Sequence, residues 1–247
     1  MTVAPEVRSG SIHLVGGGAL TVADAPLYAP FVAEAAARGR AAGRARPRIA
    51  VISVHPANPT PAGVLVDVLA AAGEFDPRVT AVRGGEEVGL AALAEVDGIV
   101  VGGGIVEEVR DGLEPLFDEI RRQVADGVPY LGVSAGAMIA AEGALGGGSR
   151  VDGIVVSPED PDEPGEELEI GGGIGLVDVA VEAHVAQRGT LSRLVAAVES
   201  GLIGGALGID ERTVLVVGEG GLRVEGSGSV WQVLPGERGV AVATVGA

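Results

Sequence analysis

The amino-acid sequence predicts an α/β protein built on a doubly wound, mostly parallel sheet, with β-hairpins near the C-terminus. Three observations support this prediction. Short, continuous apolar runs alternate with Ala-rich or amphipathic segments of helical length, and strands covered by helices on both faces have this unbroken apolar character. Gly-rich loops directly follow several of these runs. With 247 residues, 47% hydrophobic and only 2% aromatic, the chain can bury a large aliphatic core.

The first half of the chain is expected to consist of repeated strand–helix units. Such repeats imply parallel strands joined by right-handed crossovers, with ligands bound at the carboxyl ends of the strands. The glycines at 16–18 and 102–104 follow strand ends, so we expect both loops to line one crevice. The expected strands are residues 11–15, 48–54, 79–82, 98–101 and 128–131, and the expected helices are residues 30–46, 61–72, 86–95, 106–126 and 135–142.

The second half has a different character. Residues 151–170 are rich in carboxylates and prolines, which predicts a mobile acidic loop, more typical of a solvated loop than of a functional lid. Strands separated by Gly-rich turns follow and are typical of hairpins. We expect a single domain over residues 1–247. The expected elements are a strand over 171–181, a helix over 190–200, and strands over 213–217, 222–224, 230–234 and 239–245.

Composition restricts the function classes. The net charge of −17 argues against nucleic-acid and anionic membrane partners. The absence of cysteine excludes disulfides, thiolate metal sites and a cysteine nucleophile. Residues 1–6 have no signal-peptide pattern, and no uninterrupted apolar run has membrane-spanning length. We therefore expect a cytoplasmic protein. The sequence shows no metal-ligand cluster, so we expect no metal or other cofactor.

Ser134 is the most informative residue, because it lies between an apolar strand and a helix-forming run. The stretch Gly132–Ala137 reads Gly-Val-Ser-Ala-Gly-Ala. Small neighbours allow a sharp strand-to-helix turn that exposes a serine hydroxyl beside the free N–H groups of a helix start. This arrangement suits a nucleophile whose reaction generates an oxyanion. A Gly-rich turn with a buried serine would give the same pattern.

A serine nucleophile needs a base and usually a carboxylate that orients the base. Of the three histidines, His13 lies inside a strand and His55 begins a Pro-rich loop, which favours structural or binding roles for both. His184 follows an apolar strand and precedes a helix, so it is the preferred base. Asp210 and Glu211 precede another strand, and either can orient the imidazole.

Taken together, these motifs resemble the peptidase family S51 of cyanophycinases and aspartyl dipeptidase E. The matching stretches are the serine turn, residues 182–194 around His184, and residues 208–213 around Glu211. The resemblance implies a class I glutamine amidotransferase-like, flavodoxin-like α/β fold and a homodimer. It also implies a Ser–His–Glu triad of Ser134, His184 and Glu211. The implied oxyanion hole uses backbone N–H groups of Ala135 and of Gly103 or Gly104.

Departures from the family pattern concern the substrate. Ile105 stands where the family's glycine loop is polar, Glu182 and Ala183 replace an Asp-Gln pair, and Thr190 replaces an arginine. These changes put the β-aspartyl-arginine polymer cyanophycin in doubt as the substrate. The candidate substrate-binding residues are Ile105, Glu182, Ala183, Arg188, Arg193 and Asp210.

Arg188 and Arg193 are retained. They can bind a substrate carboxylate or form salt bridges with Glu182 or Asp210. We expect a serine peptidase or amidase acting on a small isopeptide or another carboxylate-bearing amide. Two alternatives stay open: a catalytically silent binding protein of the same fold, and an acyl transferase or amidase of a biosynthetic pathway.

Overall fold

The computed structural model describes residues 9–18, 20–55, 60–160 and 165–246, with only the backbone of residues 60 and 61. Within these residues the chain alternates strands and helices through its first half and is mostly β beyond residue 200. The α-helices are α1 (Ala25–Ala41), α2 (Thr60–Ala72), α3 (Val106–Leu113), α4 (Phe117–Ala125), α5 (Ala135–Met138), α6 (Val185–Arg188) and α7 (Leu191–Glu199).

A seven-stranded sheet forms the centre of the fold, in the order β13-β12-β1-β5-β4-β2-β3. Strands β1, β5, β4, β2 and β3 run parallel, and β12 and β13 extend the sheet antiparallel beside β1. The predicted doubly wound, mostly parallel sheet is therefore confirmed. Its strands are β1 (Ile12–Val15), β2 (Arg48–Val54), β3 (Asp76–Val82), β4 (Gly98–Val101), β5 (Tyr130–Val133), β12 (Thr213–Gly218) and β13 (Gly221–Gly226).

A second sheet of four strands has the order β10-β11-β14-β15. Only β10 and β11 are parallel, and β14 and β15 form the expected C-terminal hairpin. Two short ladders, β6 with β9 and β7 with β8, complete the sheets. The strands are β6 (Gly143–Leu145), β7 (Arg150–Val151), β8 (Ile154–Val155), β9 (Ile170–Gly172), β10 (Ala180–Ala183), β11 (Ala206–Ile209), β14 (Ser229–Gly236) and β15 (Gly239–Gly246).

Alternation along the central strands explains why both faces of the large sheet carry helices. In β2, Ile49 and Val51 pack with α1 and α2, whereas Ala50 and Ile52 belong to the cluster that contains α3 and α4. All four side chains are fully buried. Successive residues of a strand point to opposite faces, so an unbroken apolar run is what a sheet between two helical layers requires. No helix in the described ranges is long and apolar enough to span a membrane.

Four predicted helices differ from those observed. The expected helix over 135–142 ends at Met138. Helix α1 begins at Ala25 rather than residue 30, because Pro26 already occupies its first turn and Pro30 lies inside the helix. The expected helix over 86–95 was wrong: only a short 3-10 helix, Leu90–Leu93, forms there, after Gly89 in an extended conformation. The expected helix over 106–126 is interrupted by a 3-10 turn, Glu114–Leu116, since proline at 115 cannot donate the backbone hydrogen bond of a continuous helix.

The acidic segment 151–170 also differs from the expected free loop where it is described. It includes β8 and the first residue of β9. The Ser192 hydroxyl donates to the carbonyl of Val156, and Pro158 lies beside Gly189. Residues 161–164 of the predicted loop lie outside the described residues. The acidic segment therefore packs against the region of α6 and α7 near Val156 and Pro158.

The predicted strand over 171–181 was misplaced, and another strand was missed. Observed strands β9 and β10 lie on either side of the expected centre. Strand β11 directly precedes Asp210, in a stretch where no strand was predicted. Two of its apolar residues, Leu207 and Ile209, are buried between β10 and β14. This partnership depends on strands distant in sequence.

Candidate active site

The candidate nucleophile sits on a strained turn at the carboxyl end of β5. Ser134 has φ 54° and ψ −118°, a region that non-glycine residues adopt rarely and at a cost. Close packing around the turn explains its small residues: a Cβ on Gly132 would lie 2.2 Å from the carbonyl oxygen of Gly136. The buried Tyr130 hydroxyl donates to that same carbonyl at 2.7 Å. The turn is thus held from beneath by β5 itself.

Two hydrogen bonds join Ser134, His184 and Glu211 in series. Ser134 Oγ lies 2.8 Å from His184 Nε2, and His184 Nδ1 lies 2.8 Å from Glu211 Oε1. His184 is 6% exposed, whereas the Glu211 side chain is 31% exposed. With Nδ1–H donating to the carboxylate, Nε2 is left to accept the serine proton. The series has the hydrogen-bond order of a nucleophile, a base and an orienting carboxylate.

The two partners of Ser134 come from the second sheet. His184 follows β10 with φ 55° and ψ 27°, and Glu211 follows the parallel neighbour β11. Because carboxyl ends of parallel strands share one edge, β10 and β11 bring the imidazole and carboxylate together. The site lies where this edge meets the carboxyl end of β5.

Glycines of the loop after β4 lie against Ser134. A Cβ on Gly103 would stand 3.1 Å from the Cβ of Ser134 and 3.4 Å from its Oγ, and one on Gly104 would stand 2.7 Å from the carbonyl oxygen of Val54. Ala135, on the other side, is the first residue of α5, where backbone N–H groups lack intrahelical partners. Gly103 and Ala135 thus flank Ser134, and Gly104 continues the same loop.

Asp210 and Glu211, which the sequence left as alternatives, have different contacts. Glu211 faces the imidazole, and its own N–H donates to the Gln187 side chain at 2.9 Å. Asp210 is 6% exposed and accepts three hydrogen bonds: from the Ala186 N–H at 3.1 Å, the Ser229 N–H at 3.0 Å and the Trp231 indole N–H at 2.8 Å. Its carboxylate therefore joins α6 to β14.

Glu182 and Arg193 bind each other. Arg193 Nε and Nη2 lie 3.0 Å and 2.5 Å from Glu182 Oε2, and Arg193 Nη1 donates to the carbonyl of Gly148 at 3.1 Å. The two residues are 0% and 2% exposed. Ala183, the next residue of β10, is also fully buried. The structure therefore brings Glu182 and Arg193 together as a buried ion pair.

Arg188 and Ile105 lie nearer the surface. The guanidinium of Arg188 is 2.7 Å from the Asp160 carboxylate of the acidic segment, and its N–H donates to the carbonyl of His184. Arg188 thus lies one helical turn beyond His184. Ile105 is half-buried and directly precedes α3, after the glycine loop.

A cavity of about 540 Å³ lies beside the buried ion pair, between the acidic segment and the start of α7. The sequence did not predict this cavity. Its walls combine the backbone near Gly148 with residues 158–160 and 165–166 of the acidic segment, which was expected to be solvated. Thr190 is 4% exposed, and its hydroxyl has no hydrogen-bond partner among the residues that the structure describes. The lining residues are Gly148, Ser149, Arg150, Pro158, Glu159, Asp160, Gly165, Glu166, Thr190 and Arg193.

The other two histidines lie apart from this series. His13 is buried in β1, with Nε2 3.4 Å from the Glu34 carboxylate and its ring edge-on to Phe31. The N–H of His55 donates to the carbonyl of Val82, and the Pro-rich loop at 56–59 lies outside the described residues. Across the described part of the chain, no cluster of three or more His, Asp or Glu residues suits a metal ion.

Comparison with known proteins identifies several relatives. Residues 67–224 match the model described as peptidase family S51. Over 154 residues, the chain is 36% identical to cyanophycinase of Synechococcus elongatus and to cyanophycinase of Thermosynechococcus vestitus. These alignments cover 61% of this chain and 45% of each relative, so the chain matches less than half the length of these proteins.

Solved structures share the fold at low sequence identity. A peptidase from an acI-B1 actinobacterium superposes with a TM-score of 0.64 at 17% identity, covering 98% of this chain and 96% of that one. A putative peptidase E protein from Listeria monocytogenes gives a TM-score of 0.55 at 15% identity, with coverages of 89% and 100%. At sequence identities this low, the structural similarity is evidence for a shared fold alone.

Proposed function

Because the chain belongs to peptidase family S51, we propose that it is a serine peptidase or amidase with Ser134 as nucleophile, His184 as base and Glu211 as the orienting carboxylate. One observation carries the proposal: the two consecutive hydrogen bonds of 2.8 Å that join these side chains. The substrate we propose is a small isopeptide of the β-aspartyl type, or a related amide that bears a carboxylate.

In the proposed reaction, Ser134 Oγ attacks the amide carbonyl carbon while its proton passes to His184 Nε2. The imidazolium is stabilised by Glu211 through Nδ1–H. Collapse of the tetrahedral intermediate breaks the C–N bond, and His184 returns the proton to the leaving amine. Water, deprotonated by the same imidazole, then hydrolyses the acyl-enzyme, so one amide and one water give one acid and one amine.

We assign the oxyanion hole to backbone N–H groups of Ala135 and of Gly103 or Gly104. The proposal is supported by the contact of Gly103 with Ser134 and by the position of Ala135 at the start of α5. Donors already aimed at the developing negative charge need no reorganisation during the reaction. Removing one such donor typically costs about 10²–10³ in kcat.

Arg188 is the preferred carboxylate-binding residue of the two arginines. Its guanidinium already binds a carboxylate, that of Asp160, and is partly exposed. Arg193 is 2% exposed and engaged with Glu182 and the Gly148 carbonyl. Ile105, half-buried after the glycine loop, is proposed to give the site an apolar wall.

The test begins with intact mass after incubation with a fluorophosphonate probe. We expect a single adduct on the wild type, none on Ser134→Ala, and slow labelling of His184→Ala and Glu211→Gln. No adduct on folded wild type would contradict the proposal and favour the silent binding protein. Once labelling is established, β-aspartyl dipeptides are tested with and without added amines, since transfer to the amine would instead identify an acyl transferase.

We also propose that the protein acts in the cytoplasm as a homodimer. The dimer is supported by the family resemblance alone. Light scattering on the protein as it elutes from a size-exclusion column tests the dimer. A mass equal to that of one chain would contradict it.

A further inference from the structure

A single short segment, Val15–Gly18, contacts all three residues of the proposed triad. It begins with the last residue of β1, an interior strand of the large sheet. The carbonyl of Val15 accepts the N–H of Ser134 at 2.9 Å, and the carbonyl of Gly16 accepts the N–H of His184 at 3.0 Å. The carbonyl of Gly17 accepts the N–H of Arg212, next to Glu211, at 3.0 Å. Three consecutive carbonyls therefore hold three chain segments that are far apart in sequence.

Each of these three donors belongs to a residue in an unfavourable backbone conformation. Ser134, His184 and Arg212 have φ of 54°, 55° and 53°. Non-glycine residues with positive φ cost free energy and persist where the surroundings over-determine them. The bonds from the segment after β1 supply such a restraint at each position.

The same segment packs so closely on the triad that it has no room for side chains. A Cβ on Gly17 would lie 2.2 Å from Cε1 and 2.6 Å from Nε2 of the His184 ring. One on Gly18 would lie 3.1 Å from Glu211 Oε2, and one on Gly16 would lie 2.1 Å from the carbonyl oxygen of Asp210. The imidazole thus rests on Gly17 at the nitrogen that faces Ser134.

We propose that Val15–Gly18 is the positioning element of the active site, and that Gly17 is a positioning residue whose missing side chain lets the imidazole reach Ser134. This inference rests on the proposed function. The carbonyls fix the three backbones, and the glycine surface sets how far the imidazole can move away from the serine. The segment itself contributes no reacting group.

Gly17→Ala tests the proposal. Its Cβ must displace the imidazole by more than about 1 Å, a misplacement that can reduce a rate by about 100-fold. The matched control is Gly221→Ala, because Gly221 has φ +89° against +91° for Gly17 and no atom within 4 Å of its added Cβ. Both variants place an alanine at nearly the same positive φ, and only the Cβ of Gly17→Ala touches the imidazole.

Two readouts are used. The first is the rate of labelling by the fluorophosphonate probe, expected to fall about 100-fold in Gly17→Ala and to stay within about 2-fold of wild type in Gly221→Ala. The second is the downfield proton resonance of the His184 Nδ1–H, assigned by its loss in His184→Ala. We expect Gly17→Ala to lose or shift it and the control to keep it. This signal reports the imidazole's position even if the wild type does not react with the probe.

Wild-type labelling and an unchanged resonance in folded Gly17→Ala would overturn the proposal. If Gly17→Ala does not fold, Gly18→Ala provides the milder contact with Glu211, and slowed labelling with a shifted resonance supports the proposal. If neither variant folds while Gly221→Ala does, the segment serves the stability of the fold, and the positioning role is wrong.

Discussion

Breaking the Glu182–Arg193 ion pair should destabilise the protein strongly. In Arg193→Met, the Glu182 carboxylate remains in β10 at 0% exposure without the guanidinium that donates two hydrogen bonds to it. Removing one partner of a buried pair typically costs about 3–5 kcal/mol. For a chain of this length each kcal/mol lowers Tm by about 2–4 °C, so we expect a fall of about 6–20 °C.

A double variant that removes both members of the ion pair separates the effect of charge from the effect of packing. Glu182→Met combined with Arg193→Met removes both charges and keeps two apolar side chains of similar length. Replacing both members of a buried pair by apolar residues is often neutral or stabilising, by about 1–4 kcal/mol. The double variant should therefore be more stable than Arg193→Met alone. Because the Gly148 carbonyl also loses a donor, we expect the double variant to remain below wild type by about 1 kcal/mol.

The assays are thermal unfolding, which gives Tm, and urea unfolding, which gives the free energies for a double-mutant cycle, on wild type, both single variants and the double variant. KM is measured in parallel on any dipeptide that the wild type cleaves. A Tm of Arg193→Met within 2 °C of wild type, together with a raised KM, would refute the structural role. That outcome would return Arg193 to the substrate-binding residues.

Three further outcomes are expected. Tyr130→Phe removes the buried hydroxyl that donates to the Gly136 carbonyl, so urea unfolding should show a loss of about 1–3 kcal/mol and probe labelling should slow; unchanged stability would contradict the role of this bond. Asp210→Asn puts an amide donor among three N–H donors, so it should slow labelling more than Trp231→Phe, which removes one of them; equal rates would dismiss this ranking. Burial raises the pKa of the Glu34 carboxyl, but hydrogen bonds from a histidine ring and a backbone N–H outweigh it and hold this pKa below 4.5. The stabilisation by the ionised carboxylate is therefore present above pH 4.5 and lost on acidification. The unfolding free energies of wild type and Glu34→Gln should converge below that pH, whereas a constant difference would exclude the linkage.

Local signals in the sequence were sufficient for much of the fold. The apolar run of β2 is unbroken because helices cover both of its faces, and Gly132 and Gly136 flank Ser134 because neighbouring backbone leaves no room for side chains. Helix ends were harder to predict from the sequence. Pro30, which lies inside α1, resembles a helix start when the earlier Pro26 is overlooked.

The division of roles around the candidate site depends on long-range packing. Glu182 and Arg193 are separated by 11 positions, and their pairing requires α7 to lie on β10. Nothing in the pattern distinguishes Asp210 from Glu211, because both lie beyond the end of a strand that was not predicted. The partner Trp231 comes from β14, so local residue chemistry left both carboxylates open, and the family resemblance alone pointed to Glu211.

The origin of the proposed triad in two sheets has a consequence for when the protein becomes active during synthesis. Ser134 follows a strand of the seven-stranded sheet. The proposed base and carboxylate, His184 and Glu211, follow strands of the four-stranded sheet and lie 50 and 77 positions further along the chain. Strand β11 also needs β14 beside it. A chain emerging from the ribosome folds from its N-terminal end, so it carries an unactivated serine until residues beyond 229 have appeared. If the proposed function is right, peptide-bond cleavage requires β14, and chains that stop before β14 would be inert.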